Sequence, residues 1–272
     1  MLQAPYDHPL NLTMQALLTF TSWSIALVLF AAALHKSRQQ KTPFYVLLVI
    51  AGAVAALAEP LYDLGFKLLF YIPGQWTLFT YAGIPQPVWT ISGYVTLYSG
   101  PALLICERLA RGMDKRTFWK WAGITLLASV IFESVGIQGG AYTYWGPHAF
   151  RLFGYPLAVG ILETTFVMLF CVCANAYRQR IRAGWGLAGL LVLFPGAFYF
   201  VNFGIGAPLL IAIGLSPPSP ALVMAGTTAS IVIALSVLEV TARYVAGAAA
   251  PARARSVEPR DALPRNMRAD SL

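Results

Sequence analysis

Charge is what this chain has least of. Only 11% of its 272 residues are Asp, Glu, Lys or Arg, against roughly 25% in an average soluble domain, so most of the chain is not built to face water. Histidine and cysteine are scarce too, at three each. His8, His35 and His148 are scattered, and no HxxxH, HxxE or DDxxD pattern occurs, so no metal site is expected. Cys106, Cys171 and Cys173 fall near expected cytoplasmic helix ends, a reducing setting, and read as small packing residues. There is no Gly-rich phosphate loop, no GxSxG and no soluble cofactor domain, so no cofactor is expected. The last apolar stretch lacks lysine, which argues against a retinal Schiff base. No internal repeat is visible, and the commonest transporter architectures lose support with it.

What is present is hydrocarbon. Hydrophobic residues make up 58% of the chain, and stretches of about 20 apolar residues, the length that spans a bilayer as helix, recur along it. Seven are read, at roughly 12–34, 44–63, 87–106, 119–139, 155–175, 185–205 and 220–243. The fold class expected is all-α, a polytopic membrane helix bundle of seven transmembrane helices.

Lys and Arg collect in cytoplasmic loops near helix ends, and they set the orientation. Lys36, Arg38 and Lys41 follow the first stretch; Arg108, Arg111, Lys115, Arg116 and Lys120 lie between the third and fourth; Arg178, Arg180 and Arg182 lie between the fifth and sixth. Arg243, Arg253, Arg255, Arg260, Arg265 and Arg268 follow the seventh. Only Lys67 and Arg151 fall on the other side, so seven spans with the N-terminus out and the C-terminus in are expected. The net charge of +8 is then a topology signal, and no nucleic-acid partner is expected. Residues 1–11 form a short outer lead-in, 12–246 the seven-helix domain, and 247–272, rich in Ala, Pro and Arg, a disordered basic cytoplasmic tail. The first apolar stretch is long enough to span and is followed by its positive charges, so no cleavable signal peptide is expected.

Ionisable groups within spanning helices cost about 2.5–3.5 kcal/mol at the helix centre, which makes each a functional candidate. Glu59 and Asp63 lie at i and i+4 in the outer turn of the second stretch, hence on one face. Glu133 lies in the outer half of the fourth stretch and Glu163 about two turns into the fifth. All four fall at similar depth, and the second, fourth and fifth stretches are placed to bring them around one pocket. Plainer readings stand beside this one for two of them: Asp63 as a solvated helix end, paired locally with Lys67 four residues on, and Glu59, followed by Pro60, as an acid that merely snorkels. Glu107 and Glu239 sit beside basic residues at cytoplasmic ends, where topology explains them. A carboxyl in an apolar pocket keeps its proton and can act as general acid, with a second carboxylate as base.

The two long outer connections, 64–86 and 140–154, hold most of the unusual polar and aromatic residues. Gly and Pro punctuate them, so turns and re-entrant or interfacial segments are expected, with Trp and Tyr at headgroup depth. Trp76, Trp89, Tyr142, Tyr144 and Trp145 are the candidates to shape a lipophilic substrate and to stabilise developing positive charge through their faces. His148 belongs either to loop packing or to proton transfer. Asn202 is a neutral hydrogen-bonding candidate on the sixth stretch.

Two runs carry a resemblance. EPLYDLGFKLLFYIPGQWTLFTYAGIPQPVWTISGYVTLYSG from Glu59, and FESVGIQGGAYTYWG with the following GYPLAVGILE, resemble the spirocyclase AveC-like family of bacterial membrane proteins, over about 55–175. The ExxGxxxGxYxY portion is also similar to membrane carotenoid-biosynthesis proteins. The resemblance implies a bacterial inner-membrane tailoring enzyme of secondary metabolism that performs cyclisation or dehydration at a ketal centre. The function expected is therefore a cyclase or dehydratase using carboxyl acid–base chemistry on a lipophilic substrate. Small membrane terpene cyclases, similar in size and reliance on acids, are the nearest alternative. A proton-coupled carrier or lipid-binding membrane protein, using the same acids as a proton relay, is the alternative of another class. Partners expected are that lipophilic small molecule and membrane lipid.

Overall fold

The computed structural model describes residues 3–181 and 184–257, with side chains through residue 248. In chain order the elements are α1 (Leu12–Gln39), α2 (Phe44–Phe66), β1 (Leu68–Phe70), β2 (Thr77–Tyr81), β3 (Ile84–Pro87), α3 (90–110), α4 (Lys115–Gln138), β4 (Tyr142–Tyr144), β5 (Arg151–Leu152), β6 (Tyr155–Pro156), α5 (Leu157–Arg180), α6 (Gly184–Ile205), α7 (Ala207–Gly214) and α8 (Pro220–Val257).

Among the described residues, six helices are long and apolar enough to cross a membrane: α1, α2, α4, α5, α6 and α8 over Pro220–Ala248. The chain is a multi-pass helical membrane bundle. Large side chains such as Leu27, Val28, Leu127, Val192, Ile211 and Val240 stand exposed on its outside, an arrangement that suits lipid and not water. The remaining expected span, 87–106, is the continuous but more polar helix α3, and it is not among the six. α8 runs on to Val257, past the expected domain boundary at 246. Arg182 and 258–272, which include most of the expected tail, lie outside the described residues, as do Met1 and Leu2.

Local chemistry sets the helix ends. The Asn11 side chain accepts from the Thr13 and Met14 backbone N–H groups and caps α1; Asp114 accepts from Thr117 N–H at 2.7 Å and caps α4. Each cap satisfies donors that the first helical turn leaves without carbonyl partners. Prolines perturb the interiors. Pro60 has no N–H to offer the carbonyl of Ala56, and α2 tightens there into a 3₁₀ turn over Ala56–Ala58. Pro101 follows a π-segment at Val95–Ser99 in α3, and Pro208 follows another at Phe200–Ile205 in α6. Such segments are where a helix absorbs a missing hydrogen bond and re-aims its side chains.

α5 is the most enclosed crossing helix, with 78% of its apolar window buried, and α1 among the least, with 28%. Small residues let helices close on each other. Ser22 of α1 meets Ser92 of α3 at 2.7 Å between hydroxyls. At Gly52 of α2 an added Cβ falls 2.1 Å from the Ser99 hydroxyl of α3, so a larger residue there must displace that hydroxyl from its bond to the Leu48 carbonyl.

The ends of the bundle differ. At one end basic residues meet acids: Lys36 and Arg111 both pair with Glu107, and Lys115 and Arg243 with Glu239 at 2.5 and 2.7 Å. Arg178 lies over the Phe44 ring at 4.8 Å. At the other end, among the described residues, three two-stranded antiparallel sheets form, β1–β4, β2–β3 and β5–β6, where turns and re-entrant or interfacial segments are expected from sequence. Strands of 2–5 residues answer their own backbone groups by pairing, β2 with β3 and β5 with β6 as local hairpins and β1 with β4 across the gap between helices. β1 with β4 ties the end of α2 to the end of α4, Leu68 opposite Tyr144 and Phe70 opposite Tyr142. Arg151 closes the loop between β4 and β5, donating to the carbonyls of Tyr144 and Gly146 at 2.7 and 2.5 Å.

Candidate functional site

Beneath the strands, Glu59, Glu133 and Glu163 face one buried cavity of about 30 Å³. The three acids come from three helices, α2, α4 and α5. Glu59 sits where the 3₁₀ turn passes back into α-helix before Pro60. Glu133 lies in the last part of α4 and Glu163 two turns into α5. Tyr62, Tyr94, Tyr98, Tyr142, Tyr144, Phe70, Phe132 and Trp89 supply the aromatic wall.

Their hydrogen bonding is unequal. Glu163 accepts four hydroxyl groups: Tyr62 at 3.0 Å and Tyr98 at 2.9 Å on Oε1, Ser129 at 2.7 Å and Tyr155 at 2.9 Å on Oε2. Four donors on two oxygens fill the acceptor capacity of a carboxylate. Glu59 receives the Tyr94 hydroxyl on Oε2 at 2.5 Å. Glu133 is held more loosely, by two tyrosines at longer range: the Tyr144 hydroxyl lies 3.4 Å from Oε2, and the Tyr142 hydroxyl, which also reaches its carboxyl, lies 3.5 Å from its backbone carbonyl. The Thr90 hydroxyl lines the same cavity, is buried and has no partner. A buried hydroxyl left alone is costly, so this one is suited to receive a water or a ligand oxygen.

Asp63, the fourth acid, stands apart. It is buried at 2% exposure, not solvated, and its partner is not Lys67. Gln86 Nε2 donates to its Oδ2 at 2.6 Å. The helix stops at Phe66, and Lys67 takes a left-handed conformation with φ +52°, so the i, i+4 geometry that would pair the two is lost. The Lys67 ammonium instead lies over the Trp145 ring at 4.8 Å. Asp63 faces a second small cavity of about 60 Å³ with Trp145, Tyr6 and Ile84.

Of the aromatic and polar candidates, Trp89, Tyr142 and Tyr144 line the acid cavity. Trp76, Trp145, His148 and Asn202 do not. Trp76 is 43% exposed, against Phe20. Asn202 is buried in the α6 π-segment and donates back to the Phe198 carbonyl at 3.1 Å. His148 Nε2 lies 2.8 Å from the Phe66 carbonyl, which accepts only, so Nε2 carries the proton and Nδ1 is bare. Burial, opposed by that hydrogen bond, brings the His148 pKa down to about 4, and a neutral imidazole holds the loop onto the end of α2.

Tyr62, Tyr94, Tyr98, Ser129, Tyr155 and Thr90 carry much of the site and are not among the candidates read from sequence. Spacing hints at some of them: Ser129 lies four residues before Glu133, Tyr62 three after Glu59, and Tyr94 and Tyr98 four apart. Compared with family models, curated proteins and solved structures, the chain matches none.

Proposed function

We propose that this chain is an integral-membrane cyclase or dehydratase that works by carboxyl acid–base chemistry on a lipophilic substrate, of spiroketal-polyketide or terpenoid type. One observation carries the reading: three buried glutamates share an aromatic cavity, and one of them, Glu163, has both oxygens filled by hydroxyl donors while Glu133 is loosely held. Unequal environments divide acid from base. Glu163 is suited to carry negative charge, and Glu133 to deliver a proton to an alkene, epoxide or hydroxyl. The cation so formed is closed by an internal nucleophile or loses a proton to a carboxylate; when the protonated group is a hydroxyl, water leaves. Tyr94, Tyr98, Tyr142 and Trp89 line the cavity, and aromatic rings there stabilise such a cation through their faces. The resemblance to the spirocyclase AveC-like family supports the same reaction class.

The reading includes a bacterial inner membrane, seven crossings, N-terminus out and C-terminus in. Helix α3 supports the seventh: Ser92 meets Ser22 near its first end, and Glu107 meets Lys36 near its last, so it follows α1 from Ser22 to Lys36, about 21 Å at 1.5 Å per residue. A reporter fused after residue 247 is expected to read cytoplasmic and one placed within 140–154 not.

The test of function is chemical. Membranes holding the chain, fed the precursor that accumulates in a deletion strain, are expected to form product; Glu133→Gln and Glu163→Gln are expected to insert normally and form none. Full turnover by both variants refutes the reading. The size of the cavity favours a second reading, a proton-coupled carrier, since about 30 Å³ holds water more readily than substrate. That reading requires uptake into vesicles without chemical change.

A further inference from the structure

The acid cavity is far below the roughly 300–1,000 Å³ of a small-molecule site, yet an apolar groove of about 350 Å³ lies beside it among α1, α3 and α4. Its walls are Ile25, Leu29 and Ala32 of α1, Leu103 and Leu104 of α3, and Trp121 and Ile124 of α4. Lys36 closes its basic end. From Ile25 to Lys36 the groove follows α1 for about 16 Å at 1.5 Å per residue. Its other end abuts the acids. Thr96 and Ala128 line the groove, and the next residue on α3, Leu97, and the residue one turn on along α4, Phe132, line the acid cavity.

Plain lipid covering does not account for one atom. Thr125, 5% exposed, lines the groove, and its hydroxyl has no hydrogen-bond partner. Thr165, Thr227 and Thr241 bond back to a carbonyl one turn earlier at 2.7 Å, whereas Thr125, like Thr19, Thr90 and Thr164, is buried without a partner. Alkyl chains offer it nothing.

We propose that this groove binds the body of the chain's own substrate, an elongated hydrocarbon carrying an oxygen function that meets Thr125, and that the reacting end enters the acid cavity between Leu97 and Phe132. The proposal rests on the enzyme reading for what happens in that cavity, but the site itself does not. Entry is lateral, from the bilayer. The groove supplies the room that the acid cavity lacks.

The experiment uses the full chain in nanodiscs with farnesol bearing an aliphatic diazirine as probe, followed by irradiation and mapping of adducts by mass spectrometry. Adducts are expected on Leu104, Trp121 and Ile124, and to be competed by unlabelled farnesol. Ala32→Phe and Ala128→Phe, on opposite walls and both at exposed positions, are each expected to cut them about tenfold by filling the space. Thr125→Val is expected to weaken competition by farnesol more than by the hydrocarbon farnesene. Adducts spread evenly onto the lipid-exposed Leu127 and Ile131, or unaffected by both Phe variants, overturn the groove. Product formation with such spread labelling refutes the groove and leaves the enzyme standing; saturable groove labelling without any product supports the groove and counts against the enzyme.

Discussion

Gln86 donates to Asp63 across 2.6 Å, and both side chains are buried. The amide comes from β3 and the acid from α2, so one hydrogen bond fastens the β2–β3 hairpin over the end of the helix that also carries Glu59. Asp63 Oδ1 and Gln86 Oε1 have no partner of their own. The clasp therefore has little redundancy.

Gln86→Leu removes the donor and leaves a buried carboxyl alone. It is expected to cost about 1–3 kcal/mol of stability, read as a lowered melting temperature of the detergent-solubilised chain. Asp63→Asn retains an acceptor for Gln86 and is expected to cost less. Equal losses in the two variants would show that the clasp does not act as a pair.

Glu163→Gln leaves one oxygen in place of two and adds an N–H₂ where Ser129 and Tyr155, or Tyr62 and Tyr98, now donate. Two of the four hydroxyls lose their acceptor. Turnover is expected to fall by about 100-fold or more, while helical content by circular dichroism is retained. Ser129→Ala removes one donor of four and is expected to reduce turnover far less.

Gly136 of α4 lies against Tyr142, and an added Cβ falls 2.5 Å from the phenol oxygen and 2.4 Å from a ring carbon. Gly136→Ala is expected to push that ring out of the cavity wall, costing about 1–3 kcal/mol through overpacking. Turnover should fall with it. The ring contact between Trp89 and Tyr142, with centroids 5.7 Å apart, offers the readout, as a change in tryptophan emission.

His148 is neutral in the folded chain down to about pH 4, where its ordinary value is 6.5. The unfolded chain therefore binds a proton that the folded chain refuses. Stability from this group is complete above pH 6.5 and declines as pH falls toward 4, by about 3 kcal/mol in all at 1.36 kcal/mol per unit. Melting temperatures of His148→Gln, which keeps a donor for the Phe66 carbonyl, are expected to fall less between pH 7 and pH 4.5 than those of the parent. Parallel curves would remove His148 as a cause of acid sensitivity.

Sequence alone determined that this is a multi-pass helical membrane chain, because the length and apolarity of a crossing helix are properties of consecutive residues. Glu107 and Glu239 were legible as acids beside basic residues; Arg111 and Arg243 pair with them four residues on, but Lys36 and Lys115, 71 and 124 residues away, reach them only through the fold. The acids Glu59, Glu133 and Glu163 were legible as costly groups in apolar segments. Their shared depth pointed to one pocket for these three and Asp63 together; that Glu59, Glu133 and Glu163 line one cavity while Asp63 faces another was not legible, since it depends on how α2, α4 and α5 cross. Nor were the tyrosines legible: Tyr62, Tyr98 and Tyr155 converge on Glu163 from three elements, and a tyrosine near a helix end looks the same in sequence whether it faces headgroups or an acid. Asp63 shows the limit most sharply. Its spacing to Lys67 promised a local pair, but the helix ends between them, and a glutamine 23 residues on arrives through a hairpin to take the place. Local periodicity encodes the helices; which polar groups meet is decided by strands and crossings that bring distant residues together.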